Sequence, residues 1–114
     1  MSKGNDEIRM RQMLDYARKA QAMTQGRSRA DLDSDVMLQL ALTRAVEVIA
    51  EAASRVSEVS RRRHPDIPWR DMVGMRNRLI HGYEAVDLNL LWDTVTTDLP
   101  PLIKALERIL GEER

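Results

Sequence analysis

Trp69-Arg70-Asp71-Met72-Val73-Gly74-Met75-Arg76-Asn77-Arg78-Leu79-Ile80-His81-Gly82-Tyr83 combines an apolar helical stripe with polar side chains that a core does not require. Trp69, Met72, Val73 and Ile80 fall on one helical face, and the same spacing puts Arg76 among them, where leucine is the ordinary choice. A guanidinium in such a stripe needs a carboxylate partner, or it faces a cleft that expects an anion. His81 follows Arg76 at a separation of roughly 140° round an ideal helix. The two converge only if the helix stops between them, or if two copies of the chain meet across a two-fold axis. Gly82 suits a left-handed helix end, which predicts a helix stopping near His81. Asn77 is spaced one helical turn before His81, where it can hydrogen-bond the imidazole and fix its tautomer.

The flanking sequence predicts more helices. Met10, Met13, Leu14, Ala17, Ala20 and Met23 keep three-and-four spacing, so a first helix runs from about Asn5 or Asp6 to Gln25 and ends at Gly26. Arg27 and Arg29 then fall in a short solvated turn, and Asp31, Asp33 or Ser34 caps a second, long helix from about Asp33 to Arg62. Its seam is Leu38, Leu42, Ala45, Ile49, Ala52, Val56 and Val59. Glu51–Arg55 and Glu58–Arg62 are spaced as outer-face pairs, and Arg61, Arg62 and Arg63 suit the negative end of the helix dipole. The spacing of Arg44 and Glu47 predicts that they pair with each other, in preference to Glu47 reaching Arg76 across the bundle. Pro68 starts the third helix, and a fourth runs from about Asp87 through Leu106 and Ile109 with a kink at Pro100-Pro101. The expected fold is all-α, an up-and-down bundle of four main helices, with residues 1–114 forming one domain.

Composition narrows the function. Lys plus Arg and Asp plus Glu number 18 each, so the formal charge is zero, which argues against a general nucleic-acid coat protein but does not exclude a local basic cleft. There is no cysteine, hence no disulfide or thiolate zinc site, and no His/Asp/Glu cluster stands at metal-ligand spacing. Met1-Ser2-Lys3-Gly4-Asn5-Asp6-Glu7 lacks the apolar run of a signal peptide, no segment could span a bilayer, and a cytoplasmic location is expected.

The stretch Pro65–Tyr83 closely resembles the HepT-like branch of the HEPN-domain superfamily, whose Arg-x4-His-x-Tyr motif is met by Arg76, His81 and Tyr83. The resemblance extends upstream to Arg44-Ala45-Val46-Glu47-Val48-Ile49-Ala50-Glu51-Ala52-Ala53, with Ala50 where the family has glycine. Downstream it extends to Val86-Asp87 and Asp98-Leu99-Pro100-Pro101-Leu102. It implies a HEPN-like bundle, a homodimer, ribonuclease activity and a place as the toxin of a toxin–antitoxin pair. It also implies that a minimal nucleotidyltransferase antitoxin adds adenylate to Tyr83.

The residues themselves allow that chemistry. An imidazole such as His81 can exchange protons with a ribose 2′-hydroxyl or a leaving oxygen, and a guanidinium such as Arg76 can hold the phosphate and stabilise growing charge. Two such pairs suffice for RNA cleavage without metal or cofactor. Adenylate on Tyr83 would put bulk and negative charge beside Arg76 and His81. The competing expectation is a non-catalytic, nucleotide-binding adaptor subunit of a nucleotidyltransferase complex. Whether Arg44, Glu47 and Arg78 are structural or assist the site is left open by the sequence.

Overall fold

The computed structural model describes residues 3–81 and 85–111, and for residues 3, 4 and 81 the backbone only. The first helix, α1 (Lys3–Thr24), buries Met10, Met13, Leu14, Ala17 and Ala20, the face its spacing predicts. It ends before Gly26, whose φ of +70° lies in the left-handed region that glycine occupies without strain.

The long second helix of the sequence reading is three helices. α2 (Arg29–Ser34) begins where the Ser28 amide donates to Asp31 Oδ2 at 2.7 Å. α3 (Val36–Ser54) is capped by Asp35, whose Oδ1 accepts from the Leu38 amide at 3.0 Å. α4 (Glu58–Arg63) is capped by Ser57. The cap residues are therefore Ser28, Asp35 and Ser57 and not the expected Asp31, Asp33 or Ser34. Asp6 explains the second break. It is only 3 % exposed and its carboxylate accepts from the Ser57 amide (2.9 Å), Ser57 Oγ (2.6 Å) and Ser60 Oγ (2.6 Å). The chain turns at Arg55–Ser57 to present these donors, and Val59, expected in the seam, is left exposed.

α5 (Trp69–Leu79) follows Pro68 as predicted, with the Trp69 indole N–H donating to the His64 carbonyl at 3.0 Å. The chain then forms a small antiparallel ladder, β1 (Ile80–His81) with β2 (Ala85–Val86). Ile80 faces Val86 and His81 faces Ala85, and the Asp87 amide closes the ladder on the Leu79 carbonyl at 2.8 Å. Asp87 caps α6 (Leu88–Asp93), accepting from the Leu90 amide at 3.0 Å.

A π-helical turn, Thr94–Asp98, links α6 to α7 (Leu99–Leu110). The expected interruption of the last helix is present, but it takes the form of this wider turn upstream of the prolines. Pro100 and Pro101 sit in the first turn of α7, where a missing amide does least harm. Gly111 ends the helix at φ +71°.

The architecture is an all-α bundle of four main helical runs, α1, α3, α5 and α6–α7, with the two-residue strands as an appendage. α1 packs on α3 and α7, and α3 packs on α5. Leu42, Val46 and Ile49 of α3 meet Met13, Leu14 and Ala17 of α1 in one core with Met75, Leu79, Leu99 and Leu106. The extents are 42 × 35 × 19 Å, and the short dimension is about two helix diameters, so α3 keeps a solvent face along its length. No described helix is long and apolar enough to cross a membrane.

Candidate functional site

Arg76 is positioned by the helix that carries it, though not as its spacing suggests. The buried stripe of α5 is Trp69, Met72, Met75 and Leu79. Met75 supplies the core contact expected of position 76, and Arg76 lies on the flank of the stripe with 55 % of its side chain exposed. From there its Nε donates to Glu47 Oε2 of α3 at 3.0 Å. The expected Arg44–Glu47 pair does not form, because Glu47 turns toward α5. Glu47 is the more covered partner, with 28 % of its side chain exposed. The Nη groups of Arg76, the edge of the guanidinium that suits a phosphate, make no hydrogen bond to any described residue.

The helix stops at Leu79, two residues earlier than Gly82 suggested. Ile80 is extended (φ −105°, ψ 114°), its amide still donating to the Arg76 carbonyl, and its β-branched side chain enters the ladder opposite Val86. The backbone thus leaves the helical path between Arg76 and His81, one of the two routes by which the pair can converge. Asn77 is exposed on the last turn of α5. Its expected helical relation to the His81 ring is lost with the helix, since position 81 is strand. The His81 side chain and Tyr83, the proposed point of modification, lie outside the described residues, as does Gly82.

Arg78 does not join Arg76. Two positions along a helix is a turn of roughly 200°, and the Arg78 guanidinium stands 3.9 Å from Asp71. There it lines a cavity of about 420 Å³ together with Asp66, Asp71, Asp98 and Pro101. The two arginines expected in the first turn are also spent, Arg27 on Asp35 (2.8 Å) and Arg29, which instead opens α2, on Asp33 and Asn89 (both 2.9 Å). Arg61 stacks over Trp69 and donates to the Ala53 carbonyl at 3.0 Å, which makes it structural. Among the described residues no group of three or more His, Asp or Glu side chains could hold a metal ion.

Two features escaped the sequence reading. One is the Asp6–Ser57–Ser60 network. The other is a polar cleft of about 260 Å³ between α1 and α3, lined by Arg9, Gln12, Arg44, Glu51 and Arg55. Neither has a local signal, because each depends on two helices meeting in antiparallel register.

Known proteins share much of this sequence. The chain is 43 % identical over 79 residues to a probable ribonuclease HepT of Thermococcus cleftensis, covering 69 % of this chain and 72 % of the relative. It is 35 % identical over 89 residues to a putative RNase of Caldanaerobacter subterraneus subsp. tengcongensis, covering 78 % and 80 %. A putative RNase of Methanocaldococcus jannaschii is 42 % identical over 71 residues, covering 62 % and 65 %. No solved structure matches the chain. Residues 13–109, which span α3, α5 and the Arg76–His81 segment, match the family described as Ribonuclease HepT-like, and the chain belongs to that family.

Proposed function

We propose that this chain is an endoribonuclease that cleaves RNA without a metal ion, acts as a homodimer, and is the toxin of a toxin–antitoxin pair. Ribonuclease activity follows from the family. The observation that carries the finer reading is the Arg76 guanidinium, held through Nε by Glu47 with its Nη groups bonded to no described residue, just upstream of the strand that ends in His81.

In this mechanism a His81 imidazole takes the proton of a ribose 2′-hydroxyl. The 2′-oxygen attacks the adjacent phosphorus, the bond to the 5′-oxygen breaks, and the other protomer's His81 protonates that leaving oxygen. The products are a 2′,3′-cyclic phosphate and a 5′-hydroxyl. Arg76 binds the non-bridging oxygens and stabilises the charge that grows on them. Asn77 supports the site from the end of α5. A nucleotidyltransferase antitoxin silences the enzyme when the Tyr83 phenol attacks the α-phosphorus of a nucleoside triphosphate and pyrophosphate leaves. The adenylate then occupies the place of the RNA phosphate. Such a protein acts in the cytoplasm, where its RNA substrates are.

The test is cleavage of total cellular RNA by the purified chain in EDTA, beside His81→Ala, with intact masses recorded. Cyclic-phosphate ends that vanish in the variant are expected. No cleavage by protein of unmodified mass overturns the reading in favour of a nucleotide-binding adaptor. No cleavage by protein heavier by whole adenylate units, with Tyr83→Phe active, supports the silenced toxin.

A further inference from the structure

The polar cleft between α1 and α3 has no structural task that explains its arginines. Arg9 and Arg44 line it from opposite helices, and neither makes an ion pair or side-chain hydrogen bond with any described residue. Arg27, Arg29, Arg62 and Arg108 are paired with carboxylates, and Arg63 and Arg70, which like Arg9 and Arg44 make no such contact with a described residue, do not line this cleft. The lining holds three arginines against one carboxylate, Glu51, and that carboxylate is engaged by Arg55 at 3.3 Å. Gln12 adds a neutral donor, also without a side-chain partner. The molecule as a whole has no net charge, whereas the lining of this cleft has a positive balance.

Its position gives the cleft a meaning. Arg44 precedes Glu47 by three residues on α3, which is a rise of about 4.5 Å and an offset of roughly 60° round the helix. Arg44 and the Glu47–Arg76 pair are therefore neighbours on the same solvent face, with Arg9 one helix further out. A ligand whose phosphate reaches the Nη groups of Arg76 runs directly onto Arg44 and Arg9 if it continues across α3.

We infer that Arg9 and Arg44, with Gln12, form a second phosphate subsite that grips the backbone of single-stranded RNA one or two nucleotides from the scissile bond. The inference rests on the ribonuclease reading of the Arg76 site. Arginine suits the task because it binds non-bridging oxygens in a bidentate fork and is not strongly hydrated. Contacts of this kind position the strand without reading its bases, so the subsite contributes affinity for any sequence.

The experiment is a salt titration of binding between the full-length chain and a fluorescent 2′-O-methyl oligoribonucleotide, which cannot be cleaved through its 2′-oxygen. Arg9→Gln/Arg44→Gln is compared with wild type, with Arg9→Lys/Arg44→Lys, and with Arg62→Gln on α4. Cleavage of the unmodified RNA is followed in parallel, and thermal melting and solution mass verify fold and assembly. Removing two phosphate contacts lowers the slope of log Kd against log salt by about 1.4. It weakens binding about tenfold at low salt, equally for two unrelated sequences. The lysine variant keeps the wild-type slope, Arg62→Gln changes nothing, and the loss in cleavage by the glutamine variant falls on KM. An unchanged slope and Kd in a wild-type protein that cleaves RNA overturns the subsite and leaves the nuclease standing. Loss of dimer at unchanged slope also overturns it, giving the surface to a protein contact. A wild-type chain that neither binds nor cleaves RNA overturns the subsite and the nuclease reading together.

Discussion

Arg76 Nε and Glu47 Oε2 meet at 3.0 Å, and this pair ties the helix bearing the motif to the centre of the bundle. Both side chains retain solvent contact, so the pair contributes little stability, on the order of 0–1 kcal/mol. Its effect is on geometry. With Nε engaged, the guanidinium is held in one orientation, and its Nη edge, bonded to no described residue, is the edge that suits a phosphate. We predict that Glu47→Gln lowers kcat for RNA cleavage about tenfold, since small misplacements cost that much or more. Thermal stability should stay near wild type. Arg76→Lys should not substitute for Arg76, because a single ammonium cannot satisfy Glu47 and a phosphate in the same fork. Single-turnover kinetics and a melt of each variant decide the matter. A Glu47→Gln enzyme with wild-type kcat would show that the pair is incidental.

Asp6 gives a pH prediction with a definite sign. Burial pushes its carboxyl pKa up, but hydrogen bonds from Ser57 Oγ, Ser60 Oγ and the Ser57 amide outweigh this and leave it below the ordinary carboxylate value. Asp35 is lowered as well, by the Leu38 amide and then by Arg27. A group depressed on folding contributes stability that is complete above its unfolded pKa, near 4, and is lost as pH falls through the folded value. The melting temperature should therefore hold down to about pH 5 and decline below pH 4. Asp6→Asn should flatten part of that decline and cost roughly 2 kcal/mol at neutral pH by weakening charge-assisted hydrogen bonds. Denaturant melts from pH 3 to 7 would show it. An equal acid slope in Asp6→Asn and wild type would mean that Asp6 does not carry the effect.

The contrast between Asp6 and Arg76 shows what the sequence can convey. The helices around each position were legible, because apolar spacing in α1, the proline before α5 and Gly26 are local signals. The break between α3 and α4 was not. Val56 and Val59 continue the apolar repeat through Arg55–Ser57, while the carboxylate that captures Ser57 and Ser60 comes from α1, some fifty residues away. The same limit applies to Arg76. A stripe read as Met72, Val73, Arg76 and Ile80 is as regular as Met72, Met75 and Leu79, and only the packing of α5 on α3 selects the second. The motif was legible as a motif, but Glu47 was legible only as the less favoured partner of Arg76, because a closer arginine, Arg44, competed for it on the same helix. Arg9 carried no signal at all until α1 and α3 were laid side by side.

Gly74 offers a stability gain on the site helix. It lies inside α5, and a Cβ there would meet only Arg78 Nη1 at 3.5 Å, an ordinary contact with the mobile end of a long side chain. Gly74→Ala should therefore raise stability by about 0.5–1 kcal/mol through helix propensity and a less flexible unfolded chain. The variant should leave cleavage intact, because the new methyl faces Arg78 and not the Arg76–Glu47 pair. Chemical denaturation of the variant beside wild type checks both the sign and the size. Destabilisation would mean that Arg78 cannot move aside.

The homodimer of the proposed mechanism makes the last prediction, because it needs a face that brings two motifs together. The N-terminal half of α3 leaves Val36 (63 %), Met37 (82 %) and Leu40 (66 %) exposed, an unusual concentration of large apolar side chains on one helix. Leu40 and Thr43 continue into a shallow cleft of about 210 Å³ with Val86 and Leu88, beside the ladder in which His81 pairs with Ala85. A second copy seated there covers the apolar face and sets its own ladder next to the first. Leu40→Glu, which adds a charge that cannot be buried unpaired, should then shift the chain from dimer to monomer while the monomer stays folded, its melting temperature falling only by the stabilisation that dimer formation supplied. Cleavage should fall with the dimer and recover at high protein concentration. Sedimentation and activity measured over the same concentration range test the coupling. A monomeric Leu40→Glu that cleaves RNA at the wild-type rate would show that a single Arg76–His81 motif is enough.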